Sequence, residues 1–545
     1  MSFLRVEKKV SGTYLRVVET YRGGNAVRHR TLYSLGKVED YTTEELAAMG
    51  YKLLFLSGAE VDTEAGEMEE LGRYNYGYPM LVKHLIGKFG LDVMIDRFSR
   101  YHKLSYNLSD CLTLLLCDRF RLPCSKLQSH KSQGDYWGLP SLDLQHLYRS
   151  LNYFFKHKEA IKEHLFQQQR RLLGVELDMV FYDVTTFYFD SEVEKEGHLR
   201  QMGFGKDGKI GKTQVLFGLL TDQRGNPVGY EVYSGDTYEG HTFSKALETL
   251  RLKYKLRRVI VVANSGMMNR ANIALFDAVD VGHAASFEFI VADRLKNLKE
   301  AAQTYLCNHK HYDQVIVWEE DGTMIPLRYA VLEYEGRLLL GTYSEKRAKK
   351  DAHERQKKIE KGLELLKKPA LIRKKAKRFY LANTAGEEKY QLDQKKIDAD
   401  ARFDGFLVLA TNVLELTPTQ IIERYKDLYH VEHSFRSFKS FLETRPMFHW
   451  TDERIEGHLC VCYIAQCLLA FLKTKLKEEN IAATENTIRQ AFSDLQLSKI
   501  KIPIHEEPFF LCSRVEDKTQ KILQTLSMPV LSGKISAKKL ASKLF

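Results

Sequence analysis

Between Leu177 and about Ala292 the chain carries MVFYDVTTFYF, TQVLFGLLT, PVGYEVYSG, RRVIVVANSG and SFEFIVA, short runs dense in β-branched and aromatic residues. Three such runs in succession, a helical stretch from Thr242 to about Tyr254, and then two more predict an α/β sheet in which an antiparallel meander is followed by crossovers. Asp183 falls in the middle of the first run. A carboxylate in a buried strand costs several kcal/mol unless a cation or hydrogen bonds compensate it, which makes Asp183 a candidate metal ligand. The alternative is a side chain turned to solvent on an open sheet face. Asn264 stands at the carboxyl end of the fourth run, where open α/β sheets place their ligands. Taken alone it is an ordinary turn residue.

A second stretch, Thr417–Leu442 (TPTQIIERYKDLYHVEHSFRSFKSFL), predicts one helix. Thr417 is its N-cap, Pro418 its first helical residue, and Gln420 closes a capping box onto Thr417. At about 100° per residue, Tyr425, Leu428, Glu432, Arg436 and Lys439 share one stripe. It sets a lone carboxylate between an aromatic residue and two cations. A solvated face of i,i+4 ion pairs has the same pattern.

The remainder divides around these two stretches. Residues 1–60 predict a small β-hairpin unit with a helix: YLRVVETY and AVRHRTLYSL flank the turn Arg22-Gly23-Gly24-Asn25. Arg16, Arg22, Arg28, His29 and Arg30 make it basic, and Thr42 with Glu45 forms a capping box for a helix ending near Leu56. Residues 61–175 read as helical, with Leu144, Leu147 and Leu151 at core spacing. The sheet occupies 176–299. A β-rich insertion, 300–412, interrupts it with QVIVWEE, TMIPLRYAVLEYEG, RLLLGTYS, a basic helix and FDGFLVLATN. Residues 413–475 hold the Thr417 helix and another from Thr451 to Lys475, with Asp452 and Glu453 in its positive first turn. Helices are expected over 476–545.

Charge narrows the partners. Lys346–Arg378 contains 15 Lys or Arg against 4 Asp or Glu, a surplus equal to the whole chain's +11. A cationic block of this density suits a polyanion such as DNA, although Ile359, Leu363 and Leu366 are also spaced to bury one face of a helix and leave the charges to solvent. Eight cysteines without a CxxC pair argue against a disulfide framework and a thiolate zinc site. Cys460, Cys462 and Cys467 read as small buried hydrophobes. No uninterrupted apolar run reaches the roughly 18 residues of a membrane span, and the start MSFLRVEKKV lacks the layout of a secretion signal. A cytoplasmic protein with no membrane partner is expected.

The strand with Asp183, a second strand ending before Ser265-Gly266-Met267, a β insertion and a final helix with an acidic residue together resemble DDE transposases of bacterial insertion sequences. The closest resemblance is to the group with a Tyr-x2-Arg-x3-Glu-x6-Lys signature on the last helix. Here that pattern falls on Tyr425, Leu428, Glu432 and Lys439. Local similarity extends to QVLFGLLTDQRGNPVGYEVYSGDT, FDGFLVLATN and VEHSFRSFKSFLETRPMFHW, so the resemblance covers about Leu177 to Trp450.

This resemblance implies an RNase H-like catalytic domain in which three carboxylates hold two Mg2+ ions, with Mn2+ able to substitute. One ion activates the attacking water or 3′-hydroxyl and the other stabilises the leaving 3′-oxygen. By position Asp183 is the first ligand and Glu432 the third, while the second falls on Asn264. An amide keeps the size of Asp but loses its charge and ligates a hard cation poorly, so the set Asp183, Asn264 and Glu432 is expected to be inactive or very slow. Leu428 stands where the family has Arg. Arg436, one turn beyond Glu432, would supply the guanidinium; Tyr425 and Lys439 would hold DNA phosphates; Trp450 would stack on an unpaired base or fill the core. The implied function is transposition: binding terminal inverted repeats on double-stranded DNA as a homodimer or larger synaptic complex, cutting there and joining the ends to target DNA on the bacterial nucleoid. Two other readings remain, a non-catalytic DNA-binding derivative serving as a repressor or host-recruited protein, and a structure-selective RNase H-fold nuclease.

Overall fold

A computed structural model describes residues 2–23, 26–57, 68–175, 179–190, 193–194, 198–203, 212–238, 241–242, 246, 258–263, 286–320, 323–366, 380–383, 390–445, 447–501 and 508–544. At the N-terminus, β1 (Ser2–Lys9), β2 (Gly12–Gly23) and β3 (Ala26–Lys37) form a three-stranded antiparallel sheet, so the expected hairpin gains a strand in front of it. Helix α1 (Thr43–Leu56) starts on the expected capping box: the Thr42 N–H donates to Glu45 Oε2 at 2.9 Å and the Glu45 N–H to Thr42 Oγ1 at 3.2 Å.

Next come β4 (Glu69–Asn75), α2 (Gly77–Phe89), α3 (Leu91–Tyr101), α4 (Leu108–Arg121), α5 (Lys126–Ser132), α6 (Leu144–Lys156) and α7 (Lys158–Leu173). Leu147 and Leu151 are fully buried, as their helical spacing predicts. Beyond them lies the main sheet: β5 (Met179–Tyr188), β6 (Gln201–Met202), β7 (Thr213–Thr221), β8 (Pro227–Ser234), β9 (Arg258–Ala263) and β10 (Ser286–Asp293). β5 pairs antiparallel with β7, and β7 antiparallel with β8; β5 pairs parallel with β9, and β9 parallel with β10. That is the expected meander followed by crossovers, with β5 in the middle and buried over all but its last residue. Most of the expected helix from Thr242 to Tyr254 lies outside the described residues.

Residues 300–412 do not stand apart from this sheet. After α8 (Glu300–Leu306), strands β11 (Gln314–Glu320), β12 (Thr323–Tyr334) and β13 (Arg337–Tyr343) form an antiparallel meander, and the basic helix α9 (Glu345–Leu366) follows. The small pair β14 (Leu381–Asn383) and β15 (Tyr390–Leu392) leads through α10 (Gln394–Ala401) to β16 (Phe406–Thr411). β16 slots between β13 and β10, antiparallel to both, so one ten-stranded sheet runs β11-β12-β13-β16-β10-β9-β5-β7, with β6 and β8 both paired to β7. FLVLAT has five of its six residues buried, and a strand that apolar is stable only with neighbours along its edges and cover on its faces.

The predicted single helix over Thr417–Leu442 is instead three pieces: α11 (Pro418–Lys426), α12 (Tyr429–Arg436) and a π-helical turn, Ser437–Phe441. The long helix α13 (Asp452–Glu478) passes through the core against α6, α7 and β8. Gly457 makes the α6 crossing possible, since a Cβ there would meet the Leu151 carbonyl oxygen at 2.0 Å. Among the described residues α13 is the one helix long and apolar enough to cross a membrane, and 89% of its apolar window is buried inside the protein. Its apolar surface is thus already covered.

The tail corrects a second expectation. Besides α14 (Glu485–Ser493), α15 (Asp517–Thr525) and α16 (Ala537–Leu544), it contains β17 (Gln496–Lys501), β18 (Phe509–Cys512) and β19 (Lys534–Ile535). These join β4 in a four-stranded sheet, β19-β18-β17-β4. The strands are short, and one neighbour is more than 400 residues away, so local periodicity gives little sign of them. One large hydrophobic core then extends from Tyr76 to Leu540, with a small separate cluster at Leu365 and Leu381.

Candidate active site

Asp183 is only 7% exposed, which excludes an open sheet face. Successive strand side chains alternate between faces. The Tyr182 hydroxyl lies 3.5 Å from the Tyr233 hydroxyl and donates to the Thr242 carbonyl on one side, whereas Phe187 packs on Phe438 of the π turn on the other, ring centres 6.3 Å apart. Asp183 shares parity with Phe187 and so belongs to the face covered by α12 and the π turn. From Phe187 back to Asp183 is about 13 Å along the strand; from Phe438 back to Glu432 is about 9 Å along the helix. Ser434 Oγ donates to the Gly225 carbonyl in the turn beyond Thr221, and Thr221 pairs with Phe181, so α12 runs in the same sense as β5 and carries Glu432 toward the Asp183 end of the strand. On the β9 side the register runs from Met179 opposite Ile260 to Tyr182 opposite Ala263, the residues that precede Asp183 and Asn264. Asn264 itself lies outside the described residues.

The capping box at Thr417 forms as the sequence predicts: Thr417 Oγ1 accepts from the Gln420 N–H at 3.3 Å, and Gln420 Oε1 from the Thr417 N–H at 2.9 Å. The ladder then tightens. The N–H groups of Leu428, His430 and Val431 donate to carbonyls three residues back, which breaks the helix between Lys426 and Tyr429. Farther on, the Leu442 N–H reaches Ser437, five residues back. The single stripe is divided as a result. Glu432 and Arg436 stand exposed on one face of α12, Lys439 is half-buried in the π turn, Tyr425 is half-buried on α11, and Leu428 is a core residue at 4% exposure. Leu428 is not a surface position from which a phosphate contact has been lost.

Tyr425 senses the whole neighbourhood. Burial above all pushes its phenol up to about 12; the Arg347 guanidinium opposes the rise, and the Glu432 and Asp183 carboxylates add to it. Arg347, at the start of α9, also lines a cavity of about 180 Å³ with Tyr425 and Lys426. The basic block thus brings one specific cation to this site. The sequence offers no sign of which member of the block it is. Along the rest of α9, Lys349, Lys350, Lys357, Lys358 and Lys361 are exposed, while Leu365 rather than Leu363 turns inward. Trp450 is not in the core: it is 62% exposed, with the Arg200 guanidinium 4.2 Å from its ring centre.

Among the described residues no three His, Cys, Asp or Glu come close enough together to hold a metal ion.

Residues 4–53 match the family model described as the IS1634 family transposase, N-terminal domain, which supports an insertion-sequence transposase. No curated protein matches the chain. Among solved structures, a piggyBac transposase synaptic complex with hairpin DNA is 8% identical at TM-score 0.36, covering 76% of this chain and 78% of that one. A Mos1 transposase paired-end complex with a left transposon end is 14% identical at TM-score 0.14, covering 33% of this chain and 58% of that one. Overlap at that level establishes no shared fold.

Proposed function

We propose that this chain is a transposase that holds insertion-sequence ends on an RNase H-like core and whose strand chemistry is disabled at Asn264. One observation carries the reading: Asp183, on an interior strand that pairs antiparallel with β7 on one side and parallel with β9 on the other, shares the electrostatic neighbourhood of Tyr425 with Glu432 on the helix that covers it. A buried carboxylate facing a solvent-exposed one is the skeleton of a site that would need a third negative group to hold Mg2+ or Mn2+. The amide of Asn264 withholds it. DNA phosphates would lie across Arg436 and Lys439, with α9 adding sequence-independent affinity. Terminal repeats held in a homodimer or larger synaptic complex belong to the same reading, and Trp450, exposed beside Arg200, would stack on an unpaired base.

The test is cleavage of an end-containing duplex with Mg2+ or Mn2+. Asn264→Asp is expected to raise the rate by about 100-fold or more, since a properly held metal contributes several kcal/mol to the transition state. Asp183→Asn or Glu432→Gln added to that variant should abolish the gain. Robust cleavage by the chain as it stands would overturn the disabled reading. End binding without restored cleavage would favour the non-catalytic DNA-binding derivative.

A further inference from the structure

A second charged site lies beyond the end of β5. A cavity of about 130 Å³ opens between the end of α4, the start of α5, α6, residues 443–445 and 447–449, and α13, with Arg119, Lys126, Arg445, His449 and His458 among its walls. Arg119 is a fixed wall charge: its guanidinium donates to the carbonyls of Leu442 at 2.8 Å, Glu443 at 3.3 Å and Cys124 at 2.8 Å. Lys126 is 3% exposed; burial, reinforced by Arg119, lowers its pKa to about 8, which leaves it mostly charged at neutral pH. Both imidazoles are held neutral by burial and by these same two cations.

Among the described residues, two carboxylates stand near these cations. Glu443 is exposed at the rim. Asp118, behind Lys126 and Arg119, accepts from the Tyr136 hydroxyl at 2.8 Å, and burial pushes its carboxyl up. Two further polar atoms in the walls, His458 Nδ1 and Thr444 Oγ1, are buried without a hydrogen-bond partner among the described residues, on side chains 5% and 1% exposed. Buried polar groups are rarely left that way in the absence of a ligand or water. Phe448, 61% exposed, stands at the rim.

We propose that this cavity is a phosphate-binding pocket and that its occupant is a phosphodiester of the DNA strand held at the Asp183–Glu432 region. An oxyanion there meets the buried ammonium of Lys126 and the half-buried guanidinium of Arg445, and gives the Thr444 hydroxyl an acceptor. Phe448 offers a base a face to stack on. The pocket is tied to the catalytic strand: the Met447 N–H donates to the Tyr188 carbonyl at 3.1 Å, and the Arg445 guanidinium lies 5.3 Å from the Tyr188 ring centre. Tyr188 is five residues from Asp183, about 17 Å along β5, a distance one bound strand spans. The DNA occupant rests on the transposase reading; the phosphate chemistry does not.

Two measurements on the full chain test this, for the unaltered protein, Lys126→Met, which keeps the side-chain length, and Arg445→Gln at the half-buried wall. The first is the thermal midpoint with inorganic phosphate against chloride at matched ionic strength. The second is affinity for an end-containing duplex across a salt series. Phosphate should raise the midpoint of the unaltered chain and not that of Lys126→Met, and either substitution should reduce the slope of log affinity on log salt by about 0.9. Equal protection of all three with an unchanged slope means an adventitious ion only and overturns the proposal. Protection lost in Lys126→Met with an unchanged slope supports the phosphate pocket and overturns its DNA occupant. A chain that binds no duplex at all defeats the transposase reading, and the phosphate arm still decides the pocket.

Discussion

Leu428 shows how a residue's meaning changes with its surroundings. By alignment to the signature it is a missing arginine. In the structure it anchors the break between α11 and α12 and is 4% exposed. Leu428→Arg is therefore expected to bury an unpaired charge and cost about 3 kcal/mol or more, lowering the thermal midpoint without raising affinity for DNA. Arg436→Ala, on the exposed face beside Glu432, should leave the midpoint unchanged and reduce the salt dependence of end binding by about one ion. Tighter DNA binding by the Leu428→Arg protein would show that this position faces the nucleic acid after all. At the same scale, His449, with its pKa lowered to about 3, and His458, held well below the ordinary value, fold neutral but take up protons on unfolding. The unfolded chain binds more protons between pH 6.5 and 3, so stability rises with pH through that window and is lost on acidification, by about 1.4 kcal/mol per pH unit for each histidine. Chemical denaturation at pH 7, 6 and 5 should show the decline, shallower in His449→Gln. A flat profile would count against neutral burial of these rings.

At the scale of elements, termini were easier to read than continuity. The capping boxes at Thr42 and Thr417 use residues three positions apart, so their geometry is local and the sequence contains it. The break after Lys426 and the π turn at Ser437–Phe441 are not local in this sense: Val431, Phe435 and Phe438 recur at i, i+4 and i+7, which a straight helix also sets on one buried face, so their spacing does not mark where the ladder changes. Helix α13 depends on one close approach. Gly457→Ala puts a methyl group against the Leu151 backbone and is expected to destabilise by about 1–3 kcal/mol by forcing α6 and α13 apart. A midpoint equal to that of the unaltered protein would mean that the crossing is looser than its 2.0 Å clash implies.

Across the molecule, two bodies of different kind are joined in one chain. The hydrophobic core from Tyr76 to Leu540 includes no residue of the N-terminal sheet, whereas β4 and β17 connect the start and the end of that core through six paired positions. Calorimetry should resolve a small early transition for residues 2–57 and one cooperative transition for the remainder. Truncation after Leu495, which strips β4 of its partner and Trp137 of its contact with Phe510, should abolish the second transition rather than shift it slightly. A truncated chain that still unfolds cooperatively near the original midpoint would show that the tail is dispensable to the core.

The sequence by itself determined what is encoded in neighbours. It held the strand character of the runs around Asp183, the caps at Thr42 and Thr417 and the buried stripe of Leu147 and Leu151, because each depends on spacings of about one to four residues, and it held the surplus of cations between Lys346 and Arg378 as plain composition. It also placed an amide at Asn264, which only the resemblance to DDE transposases marks as a ligand position. Only the tertiary structure decided that Asp183 is covered rather than exposed, that it and Glu432 both act on Tyr425, that Arg347 of the basic block lies beside Tyr425, and that the insertion's strands extend the same sheet. Those facts depend on pairings between segments tens to hundreds of residues apart, such as β16 with β10 and β17 with β4. No local period records such pairings, because the free energy that selects them comes from burying whole faces together.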